Sequence, residues 1–165
     1  MAVEFYDFSI RVTEAMNEAL IAGLHESAGE VNSRAKGNSR QGHSYGGVQA
    51  TALWDHKVFE GNMEAHVGSP HEAGYWEEFG TGEHALNGNG RKGWWIYVEG
   101  QDSGSGGRTY SSQEEAEMVA SSMRADGIPA HATNGIEPNR PLYRAFRSAK
   151  PVVKAIFEAK LKGLG

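Results

Sequence analysis

The chain has 165 residues and a mass of 17.9 kDa, which suits one domain or one domain with a small insertion. It contains no cysteine, which excludes disulfides and thiolate metal sites. No apolar run approaches the roughly 20 residues of a membrane span, so we expect a soluble protein made in the cytosol.

The net charge of −5 is unevenly distributed along the chain. From residue 138 onward seven Lys or Arg accompany one acid, whereas the other nine basic residues accompany twenty acids. An acidic body of this kind disfavours nucleic-acid binding as the main role.

The first predicted element is a long amphipathic helix. Ser9 is a candidate N-cap, and apolar residues recur at helical spacing over residues 10–31. Gly23 and Gly29 weaken this helix, each by about 1 kcal/mol relative to alanine if exposed. The following segment, Lys36–Gly47, is rich in Gly, Ser and Asn, a composition typical of a flexible loop.

Two strands are predicted next, as the arms of a hairpin. Val48–Phe59 and Met63–Val67 each place apolar side chains on one face. The residues between them, Glu60-Gly61-Asn62, have the composition of a turn.

A concentration of aromatic and acidic residues follows at Tyr75–Gly82, which has the sequence Tyr-Trp-Glu-Glu-Phe-Gly-Thr-Gly. His71–Phe79 is predicted to be a short helix, because its three aromatic residues fall at helical spacing. Gly80 should end this helix in a backbone conformation that other residues adopt poorly.

The next part of the chain is predicted to form a β-α-β unit. Trp94–Val98 is a strand rich in aromatic and β-branched residues, and a Gly/Ser linker follows at Gly100–Gly107. A helix is predicted at Ser112–Ala125, with a capping box at its start and a glycine just beyond its end. Ile128–Ala132 is the predicted returning strand, and this order favours parallel strands joined by a right-handed crossover.

The last predicted element is an amphipathic helix that begins at Pro141. Arg140, Arg144 and Arg147 lie largely opposite its apolar side. Pro151 should kink or divide the helix, because it lacks the amide that would bond the carbonyl of Arg147. The predicted apolar stripe comprises Leu142, Ala145, Phe146, Ala149, Val152, Val153, Ile156, Phe157 and Leu161.

Two stretches carry a resemblance to a known family. One is Glu78-Phe79-Gly80-Thr81 within the aromatic segment, and the other is Pro138-Asn139-Arg140-Pro141-Leu142 at the start of the last helix. In this order the chain resembles the HK97 gp10-like family of tailed-bacteriophage neck and tail-completion (head-tail connector) proteins. That family carries an aromatic-x-Glu-Phe-Gly-Thr motif in mid-chain and a Pro-rich turn before a C-terminal amphipathic helix. The structural motif residues that the resemblance implies are Tyr75, Glu78, Phe79, Gly80, Thr81, Pro138 and Pro141.

The resemblance and the predicted elements together indicate an α+β fold. A long N-terminal helix and a C-terminal helix are expected to pack on a small, mainly antiparallel sheet, in a single domain spanning residues 1–165. Minimal members of the family run almost directly from the Glu-Phe-Gly-Thr turn to the Pro-rich turn. Residues 94–133 are therefore interpreted as an inserted β-α-β elaboration.

The function that the resemblance implies is structural, not enzymatic. It implies a ring subunit that joins the portal and head to the tail around an axial passage for DNA. Such rings are commonly sixfold or twelvefold. The implied partners are further copies of the chain, portal or head-closure proteins, and tail-terminator or tail-tube proteins, with DNA passing through without specific binding. The expected location is the neck region of the virion, after synthesis in the host cytoplasm. No membrane, cofactor, metal or catalytic residue is expected.

The basic end of the chain is a candidate contact surface. A basic helix on an acidic body can dock on an acidic neighbour, so Arg140, Arg144 and Arg147 are the candidate interface residues. The alternative interpretation of these three residues is a solvated helix face.

A metal-dependent hydrolase is the alternative from another functional class. His71, Glu77, Glu78 and His84 form the densest cluster of metal-ligand residue types in the sequence. The zinc-peptidase helix motif fails, because Tyr75 stands where the second histidine would be. Without a metal, Glu77 and Glu78 are interpreted as an exposed helix face and a structural carboxylate near the turn.

Overall fold

A computed structural model of the chain describes residues 9–99 and 107–164. Within these residues it has an α+β fold, which confirms the predicted class. The side chain of Ser9, the predicted cap, and residues 100–106 of the linker Gly100–Gly107 lie outside what the structure describes. The helices and strands, in chain order, are α1 (Ser9–Asn38), β1 (Ser44–Tyr45), β2 (Val48–Gln49), β3 (Asp55–Phe59), β4 (Glu64–Gly68), α2 (Glu72–Phe79), β5 (Trp95–Val98), α3 (Gln113–Ala125), β6 (Ala130–Thr133) and α4 (Pro141–Lys162).

Helices α1 and α4 make the most extensive contact between two elements in the described structure. They run antiparallel: Asn38 at the end of α1 donates a hydrogen bond to the carbonyl of Pro141 at the start of α4, at 3.2 Å. Towards the other end of the pair, Lys160 forms a 2.7 Å ion pair with Glu26. None of the described helices combines the length and apolarity needed to cross a membrane.

The core beside this helix pair is built mainly from small side chains. Ala35 of α1 and Ala145 of α4 are fully buried, which allows the two backbones to approach closely. Leu53 and Trp54 supply the large apolar volume, and the indole Nε1 of Trp54 donates to Ser39 Oγ at 2.7 Å. The polar end of this buried indole therefore has a partner, as a buried tryptophan requires.

The predicted strand Val48–Phe59 is wrong over its first half. The chain leaves β2 at Gln49, makes a 3-10 turn at Ala50–Ala52 and re-enters an extended conformation at β3. Consecutive residues Leu53 and Trp54 are both buried, whereas successive side chains of one strand point to opposite faces. The pattern of alternate apolar residues therefore spans two separate elements.

The segment predicted to be a flexible loop, Lys36–Gly47, is more ordered than expected. Helix α1 continues to Asn38, and β1 pairs with β2 as a tight antiparallel hairpin in which Tyr45 lies opposite Val48. Of two residues that contact the site described below, Tyr45 lies in this hairpin and Arg40 lies between α1 and the hairpin.

The hairpin predicted around Glu60-Gly61-Asn62 is confirmed. Strands β3 and β4 pair antiparallel with His56 opposite Val67, and residues 60–62 form a 3-10 turn between them. Val67 is half-buried and packs against the core, while Glu64 and His66 are exposed.

The β5-α3-β6 unit has the predicted order and the predicted helix. Ser112 caps α3 by accepting a hydrogen bond from the amide of Glu115 at 3.2 Å, and Gly127 beyond its end has φ +82°. The expectation of parallel strands is wrong, because β5 and β6 pair antiparallel. The chain has already returned to the start of β5 before α3 begins, as the bridge between Trp94 and Tyr110 shows. Helix α3 then carries it back to the far end of β5.

Helix α4 begins at Pro141 as predicted and continues through Pro151, so the helix is not divided there. The bend expected at this proline stays a prediction. Two assignments to the apolar stripe are wrong, because Phe146 is 51% exposed and Leu161 is 42% exposed. The face that meets α1 is lined by Ala145 and Ala149. Phe146 follows Ala145 directly, so its side chain points about 100° away from that face.

The two glycines inside α1 occupy different surroundings, and this difference yields a prediction. A methyl group at Gly23 would lie 2.6 Å from the ring of Phe157 in α4, whereas at Gly29 it would meet no described atom within 4 Å. We expect Gly29→Ala to raise the free energy of unfolding by up to about 1 kcal/mol through helix propensity. Gly23→Ala should lower it, because the helices must separate or Phe157 must move. Chemical denaturation of both variants tests this, and equal stabilisation by the two would contradict the described packing.

Candidate functional site

The two stretches that carry the family resemblance lie side by side in the structure. The amide of Thr81 donates to the carbonyl of Ile136 at 2.9 Å, and the amide of Ile136 donates to Thr81 Oγ1 at 3.0 Å. Next to this pair, the amide of Glu83 donates to the carbonyl of Asn134 at 2.9 Å. The turn after α2 is therefore joined by hydrogen bonds to the segment that leads into α4.

Gly80 makes this close approach possible. Its φ of +74° lies in the region that favours glycine, as the sequence predicted. A methyl group at this position would lie 2.7 Å from the carbonyl oxygen of Ile136 and 2.9 Å from Cδ of Pro138. Both the backbone angle and the available space therefore require glycine at the end of α2.

Glu78 caps helix α4 from another part of the chain. Its carboxylate accepts hydrogen bonds from the amides of Leu142 at 2.8 Å and Tyr143 at 3.0 Å. Pro141 has no amide, and the amide of Arg144 makes the first helical bond, to the carbonyl of Arg140 at 3.1 Å. Every amide of the first turn therefore has an acceptor, and a carboxylate stands at the positive end of the helix dipole.

Glu77, the preceding residue, is completely buried and anchors a second group of contacts. Its carboxylate accepts from the side chains of Arg40 at 2.9 Å, Tyr45 at 2.5 Å and Asn139 at 2.6 Å, and from the amide of Arg40 at 3.0 Å. Its own backbone carbonyl accepts from the amide of Asn139 at 3.0 Å. Four donors on two oxygens satisfy the carboxylate, which a buried charge requires.

We call the contacts of Glu77 and Glu78 the carboxylate junction. It links the chain just after α1, through Arg40, to the hairpin, through Tyr45, and to the start of α4. The expectation that one of these glutamates lies on an exposed helix face is wrong, since they are 0% and 7% exposed. Helix α2 has eight residues, and it is packed both on the side that carries Glu77 and on the side that carries Glu78.

The junction shifts the ionisation of two groups. Burial by itself would raise the pKa of Glu77, but the hydrogen bonds from Tyr45, the Arg40 amide and Asn139, with the charge of Arg40, hold this pKa below its ordinary value. Burial and the neighbouring Glu77 carboxylate raise the pKa of Tyr45 to about 12. The folded state therefore favours ionised Glu77 beside neutral Tyr45.

Three of the four residues of the alternative metal site make other contacts, and the fourth, His71, is exposed. Glu77 and Glu78 are acceptors in the carboxylate junction, and His84 Nε2 lies 3.3 Å from Asn134 Oδ1. His71 is exposed just before α2. Over residues 9–99 and 107–164, no group of three or more His, Asp or Glu side chains is arranged to hold a metal ion.

An exposed surface of aromatic and arginine side chains lies next to the junction. The rings of Tyr75 and Phe79 are in contact, with centroids 4.8 Å apart. Phe79 lines one groove together with Leu142, and the next residue of α4, Tyr143, is also exposed. Phe146 follows one turn further along α4.

Two of the three predicted interface arginines stack on this surface. The guanidinium carbon of Arg140 lies 3.8 Å from the ring centroid of Tyr143, and that of Arg147 lies 5.7 Å from it. A cation placed over the face of an aromatic ring is attracted by the negative charge of that face. We define the aromatic–arginine surface by its six residues: Tyr75, Phe79, Arg140, Tyr143, Phe146 and Arg147.

The third predicted interface arginine, Arg144, is directed towards the chain itself. Its guanidinium donates to the carbonyl of Asn38 at 2.5 Å and to Asn139 Oδ1 at 2.9 Å. It thus places a positive charge at the C-terminal end of α1, where the helix dipole is negative. Arg144 supports the junction, while half-buried Arg140 and exposed Arg147 form part of the aromatic–arginine surface.

Sequence reasoning missed three residues of the junction: Arg40, Tyr45 and Asn139. Asn139 lies inside the Pro-rich stretch Pro138-Asn139-Arg140-Pro141-Leu142, so the sequence carried a signal at this position. Arg40 and Tyr45 lie in a segment whose composition indicated only a loop, and they meet Glu77 across 37 and 32 positions of sequence. No local pattern reports such a pairing.

Comparison with protein-family models, with curated proteins and with solved structures found no match for this chain. The resemblance to the neck and tail-completion family therefore depends on the two stretches and on the order of the elements around them.

The capping role of Glu78 leads to a prediction. Glu78→Ala leaves two amides of the first turn of α4 without their acceptor, so we expect it to lower the free energy of unfolding by about 1–2 kcal/mol. The matched control is Glu137→Ala, an exposed glutamate near the same turn, which should change stability by less than about 0.5 kcal/mol. Urea denaturation measures both, and equal effects would contradict the cap.

The shifted pKa values predict a stability maximum between acid and alkaline limbs. A pKa lowered by folding stabilises the protein above the ordinary range of Glu, about pH 4.3, and this stability is lost as the pH falls through the folded-state pKa of Glu77. The raised pKa of Tyr45 stabilises the protein below about pH 10, and this contribution is lost as the pH rises towards about 12.

Two variants separate these limbs when unfolding is measured across the pH range. Glu77→Gln should be less stable at neutral pH, because Arg40 loses its partner, and should show a shallower acid limb. Tyr45→Phe should show a shallower alkaline limb and keep only part of the acid limb, because Glu77 loses the hydrogen bond from Tyr45 that helps to lower its pKa but keeps its other donors. If Glu77→Gln retains the full acid dependence of the wild type, Glu77 is not the group responsible.

Proposed function

We propose that this protein is a structural subunit of a tailed-phage virion. It would belong to the neck or tail-completion ring that joins the head and portal to the tail around a passage for DNA. The observation that carries the proposal is the carboxylate junction. It joins the Glu-Phe-Gly-Thr turn to the Pro-rich turn through Glu78, so the two stretches on which the family resemblance depends form one structural unit.

The exposed surface beside the junction supports a role in assembly. Large exposed aromatic and arginine side chains are enriched at protein interfaces relative to the rest of protein surfaces. Here Phe146 and Tyr143 are exposed on a helix whose stretch of the chain carries an excess of positive charge. An acidic neighbour would be steered to this surface and held by it.

The proposed role also has a ring symmetry and a set of neighbouring proteins. The ring would be sixfold or twelvefold, and its neighbours would be portal or head-closure proteins on one side and tail-terminator or tail-tube proteins on the other. Residues 94–133 would be an addition to a minimal neck domain. The chain would act through contact surfaces and not through a catalytic residue, and an acidic body would let DNA pass without holding its phosphates.

A charge-reversal pair tests the proposal in a phage or prophage whose genome encodes this chain. Arg140→Glu with Arg147→Glu should leave the monomer folded, because neither side chain supports the junction, and should strongly reduce the amount of the protein in purified tailed particles. The control is Lys150→Glu with Lys154→Glu, which makes the same change of charge on exposed positions of the same helix.

Immunoblotting of purified particles and electron microscopy of the lysates give the result. Inactivation of the gene should leave heads and tails unjoined, with recovery when the wild-type gene is supplied. Normal tailed particles in the absence of the chain, or its absence from wild-type particles, would overturn the proposed function.

A further inference from the structure

Helix α3 presents an exposed face that is acidic around one apolar side chain. Glu114, Glu117, Met118 and Ser121 are spaced one helical turn apart or less and are all exposed, and we call them the acidic face of α3. Met118 is 72% exposed, more than any other large apolar side chain recorded for the described residues. The opposite side of α3 is buried at Ala116 and Ala120.

The acidic face of α3 and the aromatic–arginine surface are complementary in the chemistry of their side chains. One presents the carboxylates of Glu114 and Glu117 beside a flexible thioether, Glu117 being paired with Arg124 of the same helix, and the other presents Arg140 and Arg147 beside exposed rings. Carboxylates pair well with guanidinium groups, and methionine sulfur makes favourable contacts with aromatic rings. Glu114 and Met118 therefore supply a carboxylate and a thioether to a surface that offers guanidinium groups and rings, and Glu117 would exchange Arg124 for an arginine of the next copy.

The two surfaces belong to different parts of the molecule. Helix α3 packs on β5 and β6, whereas α4 packs on α1 and α2. If one copy uses its α3 and the next uses its α4, the contact is head-to-tail, and such contacts generate closed rings or open filaments. A subunit that carries both surfaces on different elements can therefore repeat the same contact from copy to copy.

We infer that the acidic face of α3 in one copy docks on the aromatic–arginine surface of the next copy. The inference rests on the ring that the proposed function requires, and it gives the 94–133 unit a role as the arm by which neighbours are joined. Met118 would enter between Tyr143 and Phe146, and the glutamates would meet the two arginines.

Two single-cysteine chains test the contact, since the natural chain has no cysteine. One carries Met118→Cys and the other Phe146→Cys, and they are mixed under mild oxidation. The expected product is a disulfide-linked dimer in the mixture, in excess over either chain alone. The control mixture pairs Phe146→Cys with Met63→Cys, a methionine exposed on the β3–β4 turn.

Charge reversal provides a second, independent test of the contact. Arg140→Glu with Arg147→Glu in the Phe146→Cys chain should reduce the cross-linked dimer to the control level. Glu114→Arg with Glu117→Arg in the Met118→Cys chain should restore it. Circular dichroism shows whether each chain is folded, and if a reversed chain is unfolded, the cysteine pair alone decides.

The same two chains are then co-expressed in cells that assemble particles, so that a ring formed only on a partner is also sampled. If the chain is found in tailed particles but the 118–146 link does not exceed the control there or in solution, the inference fails and the proposed function stands. If the link forms but the chain is absent from particles, the inference stands and the proposed function fails.

Discussion

Two adjacent carboxylates determine how the helices of this protein are held together. Consecutive residues of an α-helix point about 100° apart, so Glu77 and Glu78 reach in different directions from the short helix α2. Glu77 binds the segment after α1 through Arg40 and the β1–β2 hairpin through Tyr45, and Glu78 binds the first turn of α4. A helix of eight residues has little stability of its own, so its position depends on what these two side chains hold.

A buried carboxylate is a strict constraint as well as a contact. Removal of one partner leaves an uncompensated charge in the interior, and such losses are commonly several kcal/mol, whereas a matched apolar replacement can be neutral. The buried carboxylate therefore contributes more to selecting a single geometry than to the free energy of folding. Arg140 shows the consequence for the backbone: it adopts φ +56° just before Pro141, an angle that costs a non-glycine residue energy and is maintained by the bonds on either side.

The elements that the sequence predicted well have local causes. The capped helix α3, the β3–β4 hairpin, the stop at Gly80 and the start at Pro141 each follow from residues within a few positions of one another. The failures have non-local causes. Glu77 is buried because Arg40, Tyr45 and Asn139 come to it from distant positions in the sequence. Without such partners, a charged residue on a short helix is expected to be exposed to solvent. The antiparallel pairing of β5 with β6 depends on where the chain between β5 and α3 returns, which the strand-helix-strand order does not specify.

The junction also bears on how the exposed surface can bind a partner. A free arginine loses rotamer freedom when a partner orders it, and this loss opposes association. Arg140 is already positioned at 3.8 Å over the ring of Tyr143, and the amide of Tyr143 is itself bonded to Glu78. Glu77 accepts the amide of Arg140 at 3.3 Å through its backbone carbonyl. The aromatic–arginine surface is thus held in place by buried groups, and changes to Glu77 or Glu78 should weaken binding of the proposed partner although neither residue lies on that surface.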